Sequence, residues 1–392
     1  MDGTVGGSYY SLLFLLEGLD KFRFHSLLVL RRDTPLMPRF LRAANEVRIV
    51  ERKPPVVLAR DGSWVRAVPP VRLLVGLVQK AANVARFYAS VVSLARLIHR
   101  ERVQLVHLNN SVTSNHDWMM ASMLAGVPCL THERGLNDSY SSRARWCAPR
   151  LAAILCISQA VFDKLVACGV ARDNLRLVPN GLDPARVVPT RAAEDMRRTF
   201  GIPDGQRVIG LVGNIRAWKG QEIVVRALPA ILRRVPNLTC LFVGETSAVA
   251  VDYKRQLDEL VAGLGLADHV VFTGYCPNVA DALNIMDVSI HASVAPEPFG
   301  RVLLEAMAMK KPIVGSRSGA VTEIVQDGIT GYTFVPGSPD DLAGRVIDLL
   351  EDREKAKAFG EAGYARLVSE FHLAANVART TAVYEEVLGR QR

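Results

Sequence analysis

Short runs rich in valine, isoleucine and leucine alternate along the chain with longer stretches whose apolar residues recur every three or four positions. In the first half the runs predict strands over 26–32, 105–110, 128–133, 154–159 and 175–181. A second series predicts strands over 207–215, 238–245, 270–275, 288–293, 312–316 and 331–337. Between them, SQAVFDKLVACG (158–169), QEIVVRALPAILRRV (221–235) and PDDLAGRVIDLLEDREKAKAFGEAGYARLV (339–368) have helical spacing. Continuous apolar strands separated by amphipathic helices mean parallel sheets covered on both faces. The expected fold class is therefore α/β, with two doubly wound, Rossmann-like domains. The Pro/Arg/Ala-rich stretch DPARVVPTRAAED (183–195) marks the boundary, giving domains over 1–185 and 186–370. A C-terminal helix over 371–392 is expected to pack back on the first domain. In such folds ligands sit beyond the C-terminal ends of the strands, and the cleft between two domains is the default site.

Composition narrows this picture. A chain of 392 residues is long for one core and comfortable for two. Six cysteines occur without a C-x-x-C pair or histidines at metal spacing, which reads as free thiols in a reducing cytosol. No apolar run reaches the span of a bilayer, and the first residues lack the layout of a signal peptide, so a cytoplasmic location is expected. The net charge of +9 is unevenly placed: residues 1–185 hold 24 Lys/Arg against 14 Asp/Glu (+10), and residues 186–392 hold 24 against 25 (−1). That asymmetry points the first half toward an acidic partner, either an anionic membrane surface or a phosphorylated substrate. Neither zinc-finger spacing nor an aromatic-glycine RNA-binding signature occurs, so nucleic acid is not the expected partner. The segment 71–102 mixes helical apolar spacing with arginines and Lys80, and reads either as a core helix with a solvated basic face or as an interfacial helix on anionic lipid.

Several residues are candidates for chemistry. Gly6 and Gly7 precede an apolar helix opening near Ser8, where backbone N–H groups could face a phosphate. In LVGNIRAWKGQEIVVRAL a strand runs into a loop bearing Arg216 and Lys219, and a helix follows from about Gly220. Two cations beside a helix N-terminus suit a diphosphate, although two solvated loop cations are an equal alternative. Gly244 lies at another strand-to-loop bend. In APEPFGRVLLEAMAMKKP, Glu297 precedes a Pro-Phe-Gly turn and Glu305 lies one turn into the next helix. Glu305 either pairs with Arg301 on the surface or serves a ligand at the helix N-terminus. His132, in CLTHERG, ends a first-half strand. The other histidines have no comparable company in sequence.

Together these motifs resemble the GT-B glycosyltransferases, in particular family 4 (glycosyl transferases group 1), which are retaining and nucleotide-sugar-dependent. The resemblance runs through GGSYYSLLFLLEGL, ISQAVFDKLVACGV…LRLVPNGLD, VGNIRAWKGQE and the E-x7-E stretch EPFGRVLLEAMAMKKPIVGSRSGAVTEIVQDGITGYTF. It implies two Rossmann-like domains facing a central cleft, with an NDP-sugar as substrate and no cofactor or metal. Carried over by position, Glu297 lies by the donor sugar, Glu305 binds the ribose hydroxyls, and the backbone of Phe299 and Gly300 supports sugar and phosphates. Lys219 neutralises the leaving diphosphate, Gly6 and Gly7 border the phosphates, and His132 stands near the reacting centre. The basic first half adds the expectation of a lipid-linked or cell-surface glycan acceptor and of peripheral attachment to the inner face of a membrane. Two departures stand out: Asn214 occupies the place of the family's arginine, with Arg216 two residues on, and the strand that precedes the Gly-Gly loop in the family is missing, which reads as a truncated record. An NDP-sugar 2-epimerase and a catalytically degenerate binding subunit on the same fold are the alternatives.

Overall fold

In the computed structural model, which describes residues 7–51, 54–57 and 69–390, the strands are β1 (Leu27–Leu30), β2 (Glu46–Ile49), β3 (Val106–Leu108), β4 (Cys129–Glu133), β5 (Ala153–Cys156) and β6 (Leu175–Leu177), followed by β7 (Arg207–Val212), β8 (Leu238–Val243), β9 (Val270–Gly274), β10 (Val288–His291), β11 (Ile313–Ser316) and β12 (Gly331–Phe334). Every apolar run carries a strand, shortened at one or both ends, and β5 begins one residue earlier than its run, at Ala153. β2 is the addition: its sequence EVRI has two charged residues in four and stays partly exposed, so it offers no apolar run to read.

The chain forms two compact units. One comprises Ile157–Asp163 and Leu177–Arg379; the other comprises the described residues before Ile157, Lys164–Arg176, and residues 380–390. In the first of these a six-stranded sheet has the order β12-β11-β10-β7-β8-β9, with parallel pairing throughout. β8 is buried at all six positions and β10 and β11 at all four, which is why their sequences are continuous apolar runs instead of alternating ones. The helices Gln221–Arg234 and Pro339–Glu351 cover the sheet with Val224, Leu228, Ile231, Leu342, Val346 and Leu349, all within one buried cluster. The helical spacing over 339–368 is interrupted at Asp352. Its backbone leaves the helical region (φ −107°, ψ 90°), and its carboxylate accepts from Lys355 N at 2.9 Å, capping a second helix, Arg353–Glu370. Strand order runs outward from β7 to β9 on one side and from β10 to β12 on the other. The order therefore reverses between β7 and β10, the topological switch point where such sheets bind ligands.

In the other unit β3, β4, β5 and β6 form a four-stranded sheet, and β1 pairs with β2 in a separate parallel pair. The helix Pro69–Arg100 buries Val91, Leu94 and Ile98 near its C-terminal end. Its N-terminal part leaves Leu73, Leu74, Leu77, Val78, Val84 and Tyr88 exposed, so the core-helix reading holds for only one end. Among the described residues no helix is long and apolar enough to cross a membrane.

Candidate functional site

Two loops flank the switch point. The loop after β7 turns at a single 3-10 turn, Ala217–Lys219, and enters the helix Gln221–Arg234 through Gly220. Gly220 is left-handed (φ 72°), and a Cβ there would lie 1.9 Å from the carbonyl oxygen of Ala292. Only glycine lets the loop after β7 close against the chain leaving β10. The loop after β10 carries Ser293 and Glu297, and is stitched to the loop after β11 by Ala320 N donating to Glu297 O at 2.9 Å. These closures bring four side chains together. Lys219 Nζ donates to Glu297 Oε2 at 2.7 Å; Ser293 Oγ reaches the same oxygen at 3.3 Å, and His291 Nε2 lies 3.2 Å from it.

The cluster is buried, and its charges are set by that. Burial would raise the Glu297 pKa, but the His291 hydrogen bond and the Lys219 ammonium outweigh it and hold the carboxyl down at about 2. Glu297 is thus an anion whose charge is met by Lys219, whose Nζ also lies 4.1 Å from the centroid of the half-exposed Trp218 ring. Several buried polar atoms of this unit have no hydrogen-bond partner among the described residues: His291 Nδ1, Ser316 Oγ, Gln221 Oε1 and Ser247 Oγ. They belong to or follow the C-terminal ends of β10, β11, β7 and β8 respectively, the edge at which a ligand would supply partners.

The remaining candidates of this unit fall into different surroundings. Arg216 is half-buried at the start of the same loop, and its side chain makes no ion pair or hydrogen bond among the described residues. Phe299 is buried, its ring 6.2 Å from Phe371 in an edge-on arrangement, so only its backbone could meet a ligand. Gly300 (φ 84°) caps the helix Arg301–Ala308. Glu305 is partly buried and lies 3.7 Å from Arg301, so the one-turn pair exists; burial raises its pKa and Arg301 counters that. Gly244 has a packing reason of its own: a Cβ there would lie 2.3 Å from Gly213 O. No group of three or more metal-ligating side chains positioned for an ion occurs among the described residues.

In the other unit Gly7 begins the helix Gly7–Gly18, and Gly6 lies outside the described residues. His132 is buried in β4, with Nδ1 2.7 Å from His107 Nε2. Glu133 beside it accepts from Val112 N and Ser111 Oγ, and burial raises its pKa to about 7. His291 and His107 were without company in the sequence and acquire it by folding. The only signal for His291 was its place at the end of a strand leading to Glu297, and His107 had none.

The lysine held by a carboxylate stands at the switch point of a doubly wound sheet, the place where α/β domains of this class take their ligands. Residues 192–366 match the family described as Glycosyl transferases group 1, and residues 34–186 that described as Glycosyltransferase Family 4. The chain is 30% identical over 341 residues to 2-deoxystreptamine glucosyltransferase of Streptomyces kanamyceticus, covering 81% of this chain and 85% of that protein. It is 25% identical over 304 residues to N-acetyl-alpha-D-glucosaminyl L-malate synthase of Bacillus anthracis, covering 75% and 78%. Its fold matches the crystal structure of Anabaena Alr3699/HepE in complex with UDP, with a TM-score of 0.80, 22% identity and 98% of each chain covered. The chain belongs to the group 1, family 4 glycosyltransferases, and its fold is GT-B.

Proposed function

We propose that the enzyme transfers a sugar from a nucleoside-diphosphate sugar to an acceptor hydroxyl with retention of anomeric configuration. The observation that carries this reading is Lys219, an ammonium fixed by Glu297 at the switch point and next to the N-terminus of the helix Gln221–Arg234. As the anomeric C–O bond breaks, its electron pair passes to the diphosphate. Lys219, Arg216 and the helix N-terminus would stabilise that developing charge. The acceptor oxygen bonds the anomeric carbon on the face the diphosphate leaves, and its proton goes to a diphosphate oxygen. Glu297 positions Lys219 and borders the sugar; Glu305 accepts hydrogen bonds from ribose hydroxyls; the backbone at Phe299 and Gly300 supports sugar and phosphates. Support for the donor class comes from a relative described as GDP-mannose-dependent (36% identical over 199 residues, half its length) and from the HepE complex with UDP. A role in cell-surface glycan or glycolipid synthesis fits relatives named for lipopolysaccharide core biosynthesis and for phosphatidylinositol mannoside.

Thermal melting against a panel of NDP-sugars, followed by product analysis, tests the reading. One donor should raise Tm by mass action and be consumed when an acceptor is present. Glu305→Ala should raise the KM for that donor more than it lowers kcat. Stabilisation by no NDP-sugar, or release of an epimerised nucleotide sugar without acceptor, overturns the proposal.

A further inference from the structure

We infer that His107 and Tyr384 are positioning residues that fix the tautomer of His132, so that His132 offers an Nε2–H donor to substrate and cannot serve as a base. The inference rests on the family resemblance, which implies that His132 stands near the reacting centre, and goes beyond it by assigning the histidine's proton and two residues remote in sequence. Tyr384 Oη lies 2.6 Å from His107 Nδ1, and His107 Nε2 lies 2.7 Å from His132 Nδ1. The three side chains form a continuous chain, with Tyr384 and His132 buried and the two imidazole planes 26° apart.

The direction of the protons follows from the end of the chain. A phenol carries one proton, and His107 is the hydrogen-bond partner of the Tyr384 hydroxyl among the described residues. If Tyr384 donates to Nδ1, the single proton of a neutral His107 stands on Nε2 and is donated to His132 Nδ1. The proton of His132 is then on Nε2. In the reverse order His107 would donate to the phenol oxygen, and the phenol proton would be buried without an acceptor, an uncompensated desolvation. One proton per ring is secured by the surroundings. Burial, and then the Arg134 charge, push His132 well below the usual histidine range and His107 down to about 3. His132 Nε2 makes no hydrogen bond to another described residue, so its N–H remains for an oxygen of the donor or acceptor. This agrees with a reaction in which the acceptor's proton leaves on the diphosphate.

Long-range proton–nitrogen correlation spectra of the full-length protein, labelled with nitrogen-15 histidine, test this, with His132 assigned by its loss in His132→Asn. The wild type should show His132 protonated on Nε2. Tyr384→Phe keeps the ring and removes the proton donor, so a share of Nδ1-protonated His132 should appear and kcat should fall roughly 10-fold or more, since the wrong tautomer presents a lone pair where a donor is needed. His107→Phe should act in the same direction. Nδ1 protonation in the wild type overturns the inference without any variant, as does an unaltered tautomer in Tyr384→Phe. Wild-type transfer by His132→Ala instead overturns the placement of His132 at the site, whatever its tautomer.

Discussion

Lys219 and Glu297 are 78 positions apart and meet at 2.7 Å, and each makes the other's charge tolerable in a buried site. Lys219→Ala should lower turnover about 100-fold or more, the scale of losing one charge contact to a transition state. Steady-state kinetics with a saturating donor checks this, and near-normal turnover would remove the role. The carboxylate has a measurable signature of its own. Its folded pKa of about 2 lies below the ordinary glutamate value, so the ionised form stabilises the fold above about pH 4.5, and that stabilisation is lost as pH falls toward 2. The contribution is on the order of 3 kcal/mol. Denaturant melts should therefore lose stability more steeply between pH 5 and pH 2 in the wild type than in Glu297→Gln; parallel curves would count against the pairing. Lys219 and Glu297 were legible as chemistry in their motifs. Their contact was not, because a side-chain distance across 78 residues depends on strand order.

At the scale of elements, the approach of the loop after β7 to the loop after β10 depends on Gly220. A methyl group there would meet Ala292 O at 1.9 Å on a left-handed backbone. Gly220→Ala should destabilise the protein by about 2 kcal/mol or more and lower transfer beyond the loss of folded protein, because Lys219 would move with the turn. Thermal melting together with activity per folded molecule separates the two effects; an unchanged Tm would show that the loop relaxes freely. The strands were readable because their burial is continuous, as β8 shows. β2 escaped because Glu46 and Arg48 interrupt its apolar positions, and the pairing of Leu27–Leu30 with it is decided by backbone hydrogen bonds. The break at Asp352 was equally hard to see, since helical periodicity runs through it and only the cap ends the turn.

At the scale of the molecule, the basic excess of the first half and the exposed apolar residues of the helix Pro69–Arg100 occur together, with Arg72, Lys80 and Arg86 exposed among Leu73, Leu77 and Val84. An amphipathic basic helix gains both apolar burial and charge attraction at anionic lipid. Cosedimentation should show binding to phosphatidylglycerol vesicles, weaker binding to phosphatidylcholine, and release by salt. Leu73→Glu with Leu77→Glu should abolish it. Equal binding to both lipids, or none, would return that helix to an ordinary solvated face.

The amino-acid sequence by itself determined the layered α/β architecture, the doubly wound character and the two loops that carry Lys219 and Glu297. Those properties depend on local periodicity, on turn residues and on which apolar runs must be covered. The tertiary structure alone decided that Glu297 meets Lys219, 78 positions before it, and that His132 is wired through His107 to Tyr384, a residue 277 positions beyond His107. These contacts join elements far apart in the chain, and no spacing along it encodes them.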